Sequence, residues 1–277
     1  MRLNKNIFSL NIYRTYSNNI SKGSKALNNI STGKKINSAK DNPSKIAQNE
    51  TLKINILSSK KAQQNIQDTN SMLQTFDGSM QEMNDMLSRM RELTVQGSNG
   101  ALSSDDVTAI QSEIDQLKDG LNDIVNNTKF NGVSISDETV TGFDANYKKS
   151  MIGVLEDESI DIPYFNLSSE NLGIDNLDMT KGEENLESID NAINMVSRVR
   201  GTYGAIQNGL EETAENLSAK NINIESAQSN IGDADITKEY LKYSTSQILM
   251  QSSLSLIAQA NQIPQDALQI IGNIPRG

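Results

Sequence analysis

The chain has 277 residues and contains no histidine, no cysteine and no tryptophan. Without histidine and cysteine it lacks the commonest general base, the usual zinc ligands, a thiol nucleophile and any disulfide. A protein without histidine cannot carry an HExxH protease motif either. Aromatic residues make up only 4% and mean hydropathy is −0.50, a poor composition for a globule built around a deep cleft. There are four prolines in all, which suits long helices, because an interior proline breaks the hydrogen-bond ladder. No apolar run approaches the roughly eighteen residues needed to span a bilayer, so no membrane insertion is expected. The opening residues Met1-Arg2-Leu3-Asn4-Lys5 lack the apolar core and small-residue cleavage site of a secretory signal.

What is present is apolar spacing of three and four, sustained in both halves. The first half reads Ile66, Thr69, Leu73, Phe76, Met80, Met83, Leu87, Met90, then Val107, Ile110, Ile114, Leu117, Leu121, Ile124. The second half reads Leu186, Ile189, Ile193, Val196, then Tyr203, Ile206, Leu210, Thr213, Leu217. Residues so spaced share one helix face, so each run is a stripe that demands partner helices. The last segment adds Leu241, Ile248 and Leu254 to the candidate assembly seams. The expected fold class is mainly α: long antiparallel helical rods or coiled coil, with a small β-hairpin element in the middle.

Helix punctuation supports the rods. Asn42-Pro43 offers an N-cap followed by proline at the first helical position, and nothing interrupts the helix until Gly97 and Gly100. At 1.5 Å per residue such a helix is about 80 Å long. Ser103 or Ser104, with Asp105 and Asp106, starts a second helix to about Asn126. Asn131-Gly132 between Phe130 and Val133 signals a tight hairpin turn. Short β-leaning runs at Val133-Ser134-Ile135 and Ser159-Ile160-Asp161-Ile162 predict a small β element. Thr180 with Glu183 reads as a capping box opening a helix to about Ile231, and a final segment covers Ile236–Ile271.

Charge is split along the chain. Residues 1–53 carry ten Lys or Arg against two acids, a net +8, while the rest carries fifteen against thirty-three, a net −18, giving −10 together. A basic arm without an aromatic stacking platform does not point to nucleic acid. The two ends, residues 1–40 and 236–271, are amphipathic but rich in Asn, Gln and Ser. Their modest apolar content returns less than ordering them costs, so the ends are expected to be disordered in a lone subunit and to fold on assembly.

The residues carry a resemblance across nearly the whole chain. Met1-Arg2-Leu3-Asn4-Lys5-Asn6-Ile7, Asn11-Ile12-Tyr13-Arg14 and Ser24-Lys25-Ala26-Leu27-Asn28-Asn29-Ile30-Ser31-Thr32-Gly33 resemble the N-terminus of bacterial flagellin. Arg89-Met90-Arg91-Glu92-Leu93-Thr94-Val95-Gln96 and Thr128-Lys129-Phe130-Asn131-Gly132 are similar to its first helical rod and the turn after its second helix. Gly204-Ala205-Ile206-Gln207-Asn208 and Ala258-Gln259-Ala260-Asn261-Gln262-Ile263-Pro264-Gln265 resemble its C-terminal half.

The resemblance implies a structural subunit that self-assembles into the flagellar filament as a helical homopolymer, exported unfolded by a type III route and located outside the cell. It divides the chain into an N-terminal arm (1–41), a helical rod pair (42–132), a β element (133–178), a returning rod (179–232) and a C-terminal arm (233–277). The two arms form an inner coiled-coil layer on assembly, and no large outer domain is present. Implied partners are further subunits, an export chaperone, the filament cap, hook–filament junction proteins and a host Toll-like receptor. Arg89, Leu93 and Glu113 are the counterparts of the receptor contacts. Two family arginines are replaced, by Gly209 and Asn230.

The remaining motifs are structural. Adjacent acids such as Asp105-Asp106 and Glu211-Glu212 lack any calcium-loop spacing, and Gly201-Thr202-Tyr203-Gly204 lacks the strand and lysine of a phosphate loop. No enzyme, cofactor or metal site is expected. Two alternatives share the helical pattern: a hook–filament junction protein and a secreted helical binding module. The Arg89–Gln96 segment and the Phe130-Asn131-Gly132 turn favour flagellin over the first. The second predicts ordered ends and no polymer.

Overall fold

A computed structural model describes residues 6–272 apart from 138, 143, 156, 180 and 181, without the side chains at 182, 183, 267, 268 and 270–272. The Thr180–Glu183 capping box lies outside the described residues. The order of elements is α1 (Ile7–Thr32), α2 (Pro43–Gly97), α3 (Ser104–Asn127), β1 (Lys129–Phe130), β2 (Val133–Ser134), β3 (Asn146–Met151), β4 (Ser159–Tyr164), α4 (Gly182–Gly232) and α5 (Ile236–Gly272). Contacts group these into two compact units, Met1–Ile54 with Asn223–Gly277, and Asn55–Ile222.

Local chemistry sets the element ends. The Asn42 side chain accepts from Lys45 N at 3.1 Å at the start of α2. Ser103 caps α3 in a reciprocal box with Asp106. Asn131 and Gly132 take φ of 48° and 82°, the two positive values a type I′ turn requires, and set Phe130 opposite Val133.

The rod unit has a continuous apolar core. From α2, Leu73, Phe76, Met80, Met83, Leu87 and Met90 are completely buried. Ile114 and Leu121 of α3, and Ile189, Val196, Tyr203 and Leu210 of α4, face them, with Leu117 and Ile193 at the margin. Contacts of α2 with α3 run Arg89–Glu113 and Met86–Gly120, and with α4 run Arg91–Asp190 and Asp77–Arg200. In both pairs one residue number rises as the other falls, so the helices are antiparallel. Met80, Met83 and Met90 act in this core as flexible, polarisable fillers.

Strand β4 pairs antiparallel with β3, placing Lys149 opposite Asp161 and Lys148 opposite Ile162. Sequence pattern gives no sign of β3. Asn-Tyr-Lys-Lys-Ser-Met is exposed at nearly every position and has no apolar alternation. Partners hold it instead: Ser150 Oγ lies 2.8 Å from Thr69 Oγ1, Asn65 Nδ2 donates to the Met151 carbonyl at 3.0 Å, and the Lys148 ammonium sits 4.3 Å over the Tyr164 ring. Strand β4 is locked onto the helices by Tyr203, whose buried hydroxyl donates to the Pro163 carbonyl at 2.9 Å. Burial pushes the Tyr203 phenol well above its ordinary pKa.

Candidate functional site: the terminal arm pair

Both arms are helical and pack against each other through a seam made of small and polar residues. On α1 the buried positions are Asn19, Gly23, Ala26 and Asn29. On α5 they are Glu239, Ser246, Ser253 and Ala260, spaced seven apart. The seam is an antiparallel heptad contact in which side chains are short enough for close approach. A Cβ on Gly23 would lie 3.4 Å from Ser246 Cβ.

Polar contacts fix the register. Asn6 Nδ2 donates to the Ala260 carbonyl at 2.7 Å, and Asn29 Nδ2 to Glu239 at 3.3 Å. Glu239 also pairs with Lys242, whose hydrogen bond, with that of Asn29, outweighs desolvation and lowers its pKa. At the ends of α1 and α4 the chain breaks are stitched together: Ala234 N donates to the Gly33 carbonyl at 2.9 Å and Lys35 N to that of Gly232 at 2.8 Å. Gly33 closes α1 with φ of 68°, a left-handed conformation that glycine adopts without strain. Asp41 gathers the Lys25 ammonium (2.7 Å) and the Asn37 and Ser38 amides, which hold its carboxyl at about 2.

Large apolar side chains lie outside this seam and stay exposed. Tyr13, Ile20 and Leu27, seven apart on α1, and Leu249, Leu256 and Ile263, seven apart on α5, are exposed. Of the expected seam residues, Leu73, Phe76, Met83, Leu87, Met90, Ile110, Ile114, Val196, Leu210 and Leu217 are buried inside the rod unit. Leu241, Ile248 and Leu254 are 62%, 64% and 51% exposed on α5, Leu241 at the edge of the groove that α5 forms with α1. The internal arm seam was not visible to a search for apolar spacing, because its residues are Gly, Ala, Ser and Asn. The seven-residue recurrence of Glu239, Ser246, Ser253 and Ala260 was the available signal.

Arg89 and Glu113 meet on the rod surface: Nη2 donates to Glu113 Oε1 at 2.9 Å and Nη1 to Glu92 at 3.2 Å. Leu93, one turn on, is 1% exposed and belongs to the core.

Comparison with known proteins identifies this architecture. Residues 3–141 match the bacterial flagellin N-terminal helical region and residues 186–271 its C-terminal helical region. The chain belongs to the bacterial flagellin family. It is 35% identical over 303 residues to the flagellin of Bacillus subtilis (strain 168), covering 98% of this chain and all of that one. It is 31% identical over 288 residues to the flagellar filament 30.7 kDa core protein of Treponema maltophilum, with 98% and 100% coverage. The structure of a putative flagellar hook-associated protein from Vibrio parahaemolyticus shares the fold, at 14% identity and a TM-score of 0.58 over 70% of this chain and 100% of that one. Membership makes the chain a structural subunit of a filament and not an enzyme.

Proposed function

We propose that this subunit polymerises through the exposed apolar stripes of its terminal arms, which become the inner layer of a helical homopolymer. The observation that carries the reading is the inversion of the arm pair: Gly, Ala, Ser and Asn inside, Leu, Ile, Tyr and Phe outside. Full burial of each large apolar side chain is worth about 1.5–3 kcal/mol. Neighbouring copies that cover these stripes therefore supply the driving force that the internal seam lacks. Export in an unfolded state, an extracellular location, and contacts with an export chaperone, filament cap and hook–filament junction proteins belong to the same proposal, on the strength of family membership.

The test is seeded polymerisation of the heat-dissociated chain, viewed by electron microscopy beside a form lacking residues 236–277. Long filaments are expected from the full chain and none from the truncation. Ile248→Gln and Leu254→Gln leave the subunit folded, because both side chains are already in water, and should slow elongation. A full-length chain that stays monomeric with seeds present overturns the reading.

A host receptor contact is proposed for the rod surface at Arg89 and Glu113, supported by their half-exposed, hydrogen-bonded pair. Leu93 contributes there only as packing beneath them. Reporter-cell stimulation by Arg89→Ala checks it, and undiminished activity removes the assignment.

A further inference from the structure

The sequence holds three Asn-Gly pairs, Asn99-Gly100, Asn131-Gly132 and Asn208-Gly209, all in the rod unit. Asparagine followed by glycine is the pair most open to self-cyclisation, because glycine has no side chain to crowd its own backbone nitrogen. That nitrogen can attack the asparagine Cγ and close a five-membered ring. All three asparagines are solvent-exposed, so access to water does not tell them apart. Their backbones do.

Asn131 and Gly132 form the turn between β1 and β2, with φ of 48° and 82°, and the pairs Phe130↔Val133 and Lys129↔Ser134 clamp it. Asn208 and Gly209 lie deep inside α4, where the Gly209 amide belongs to the helical ladder. Ring closure at either pair must first break regular structure. Asn99-Gly100 stands between α2 and α3, in neither helix. There Leu102 N donates to the Asn99 carbonyl at 3.1 Å, and Ala101 N donates to the side-chain oxygen Oδ1 of Asn99 at 3.1 Å. The second bond folds the side-chain amide back over the Gly100 peptide unit, which keeps Cγ on the side of the Gly100 nitrogen. That nitrogen donates no hydrogen bond among the described residues, and a Cβ on Gly100 would meet nothing within 4 Å. The nucleophile is therefore free, and negative charge that develops on Oδ1 during attack meets the Ala101 N–H.

We propose that Asn99 is a self-modification site, at which the folded rod unit converts its own asparagine to aspartate or isoaspartate without an enzyme. The Gly100 nitrogen loses its proton to base and forms a bond to Asn99 Cγ. The Cγ–Nδ2 bond breaks, and Nδ2 takes up a proton and leaves as ammonia. Water then opens the cyclic imide. Breaking the bond from nitrogen to Cγ yields aspartate, and breaking the bond to the main-chain carbon yields isoaspartate, with an extra methylene in the backbone. Either product replaces the amide by a carboxylate, so subunits gain negative charge at this end of the rods as they age. Aspartate still accepts from Ala101 N, now through a charge-assisted bond, so the connection keeps its shape. The chemistry is complete within one subunit and stands apart from the polymerisation reading.

The full-length chain is incubated in mildly alkaline buffer, both folded and in urea, and then digested with pepsin in acid, where ring closure stops. Mass spectrometry reads amide-to-acid conversion at each pair, and labelling by isoaspartyl methyltransferase reads isoaspartate. In the folded chain Asn99 should convert at least about tenfold faster than Asn131 and Asn208, which must open locally before they react. In urea the three rates should converge. Gly100→Ala crowds the nucleophile and should slow conversion of Asn99 severalfold. That position has open space and no left-handed φ, so the variant keeps the fold, checked by urea unfolding.

Asn131 or Asn208 converting as fast as Asn99 in the folded chain overturns the site. So does an Asn99 that reacts far more slowly folded than in urea, since the turn would then shield the amide instead of presenting it. Filaments that form normally from subunits whose Asn99 never converts sink this site alone and leave the assembly reading intact.

Discussion

The rod unit and the arm pair bury opposite kinds of side chain. In the rod unit Leu73, Phe76, Met80, Met83, Leu87 and Met90 vanish into a core shared by three helices and strand β4. In the arm pair the inside is Asn19, Gly23, Ala26, Ser246, Ser253 and Ala260, while Ile248 is 64% exposed. Both regions are amphipathic helices with heptad-like spacing. The difference lies in whether the apolar face is satisfied within the chain. A rod that satisfies its own face is stabilised from within, whereas a helix that withholds its face leaves apolar surface in water.

The strongest way to break this contrast is to empty the rod core. Leu87→Ala, at a fully buried position, should destabilise the chain by about 2–5 kcal/mol in urea unfolding. A loss below that range would mean the rod core is not the source of subunit stability. Tyr203→Phe should cost about 1–3 kcal/mol, since it strands the Pro163 carbonyl and loosens β4 from the helices. Amide exchange on β4 should rise with it.

Gly209→Arg acts in the opposite direction. A Cβ at Gly209 meets nothing within 4 Å, so replacing glycine inside α4 should stabilise the chain by about 0.5–1 kcal/mol in thermal unfolding. The variant also restores the arginine of the family, and filaments that depolymerise at the parent temperature would argue against a lattice role for that position.

The arm stripe gives the sharpest contrast with Leu87. Ile248→Ala should change subunit stability by less than about 0.5 kcal/mol while reducing the rate of seeded elongation. A large stability loss would show that the arm face is already covered within the subunit. The smallest effect belongs to Asp41. Its carboxyl is held at about 2, below the ordinary 3.8, by the Lys25 hydrogen bond and then the Asn37 amide. A depressed folded-state pKa contributes stability that is complete above 3.8 and lost as pH falls through about 2. Protection of the Ser38 amide against exchange should therefore fade over that window, and Asp41→Asn should remove the pH dependence.

The sequence carried most of the fold because most of it rests on local chemistry. Pro43 after Asn42, the Ser103–Asp106 box and the Asn131-Gly132 turn each act within a few residues, and each appears where its chemistry places it. Strand β3 was invisible for the converse reason. Its residues prefer no strand, and Thr69, Asn65 and Tyr164, far away in sequence, hold it. The candidate site was half legible. The exposed stripe of Leu241, Ile248 and Leu254 follows from hydropathy, whereas the inner seam hides among residues too small or polar to register on any apolar pattern. Leu93 shows the limit of carrying a role across by residue match, since one turn from an exposed arginine is already the core.

The arm pair joins residues that lie almost a full chain apart: Asn6 bonds to Ala260 at a separation of 254. Closing so long a loop is slow compared with forming any helix, and it cannot begin until the ribosome has delivered the last segment. The half-seam of α1 therefore stays unmated throughout synthesis. A prematurely terminated chain presents Gly23 and Ala26 with nothing to meet them. Pairing the first helix with the last thus makes the closed arm pair a property that only a chain translated through to α5 can have.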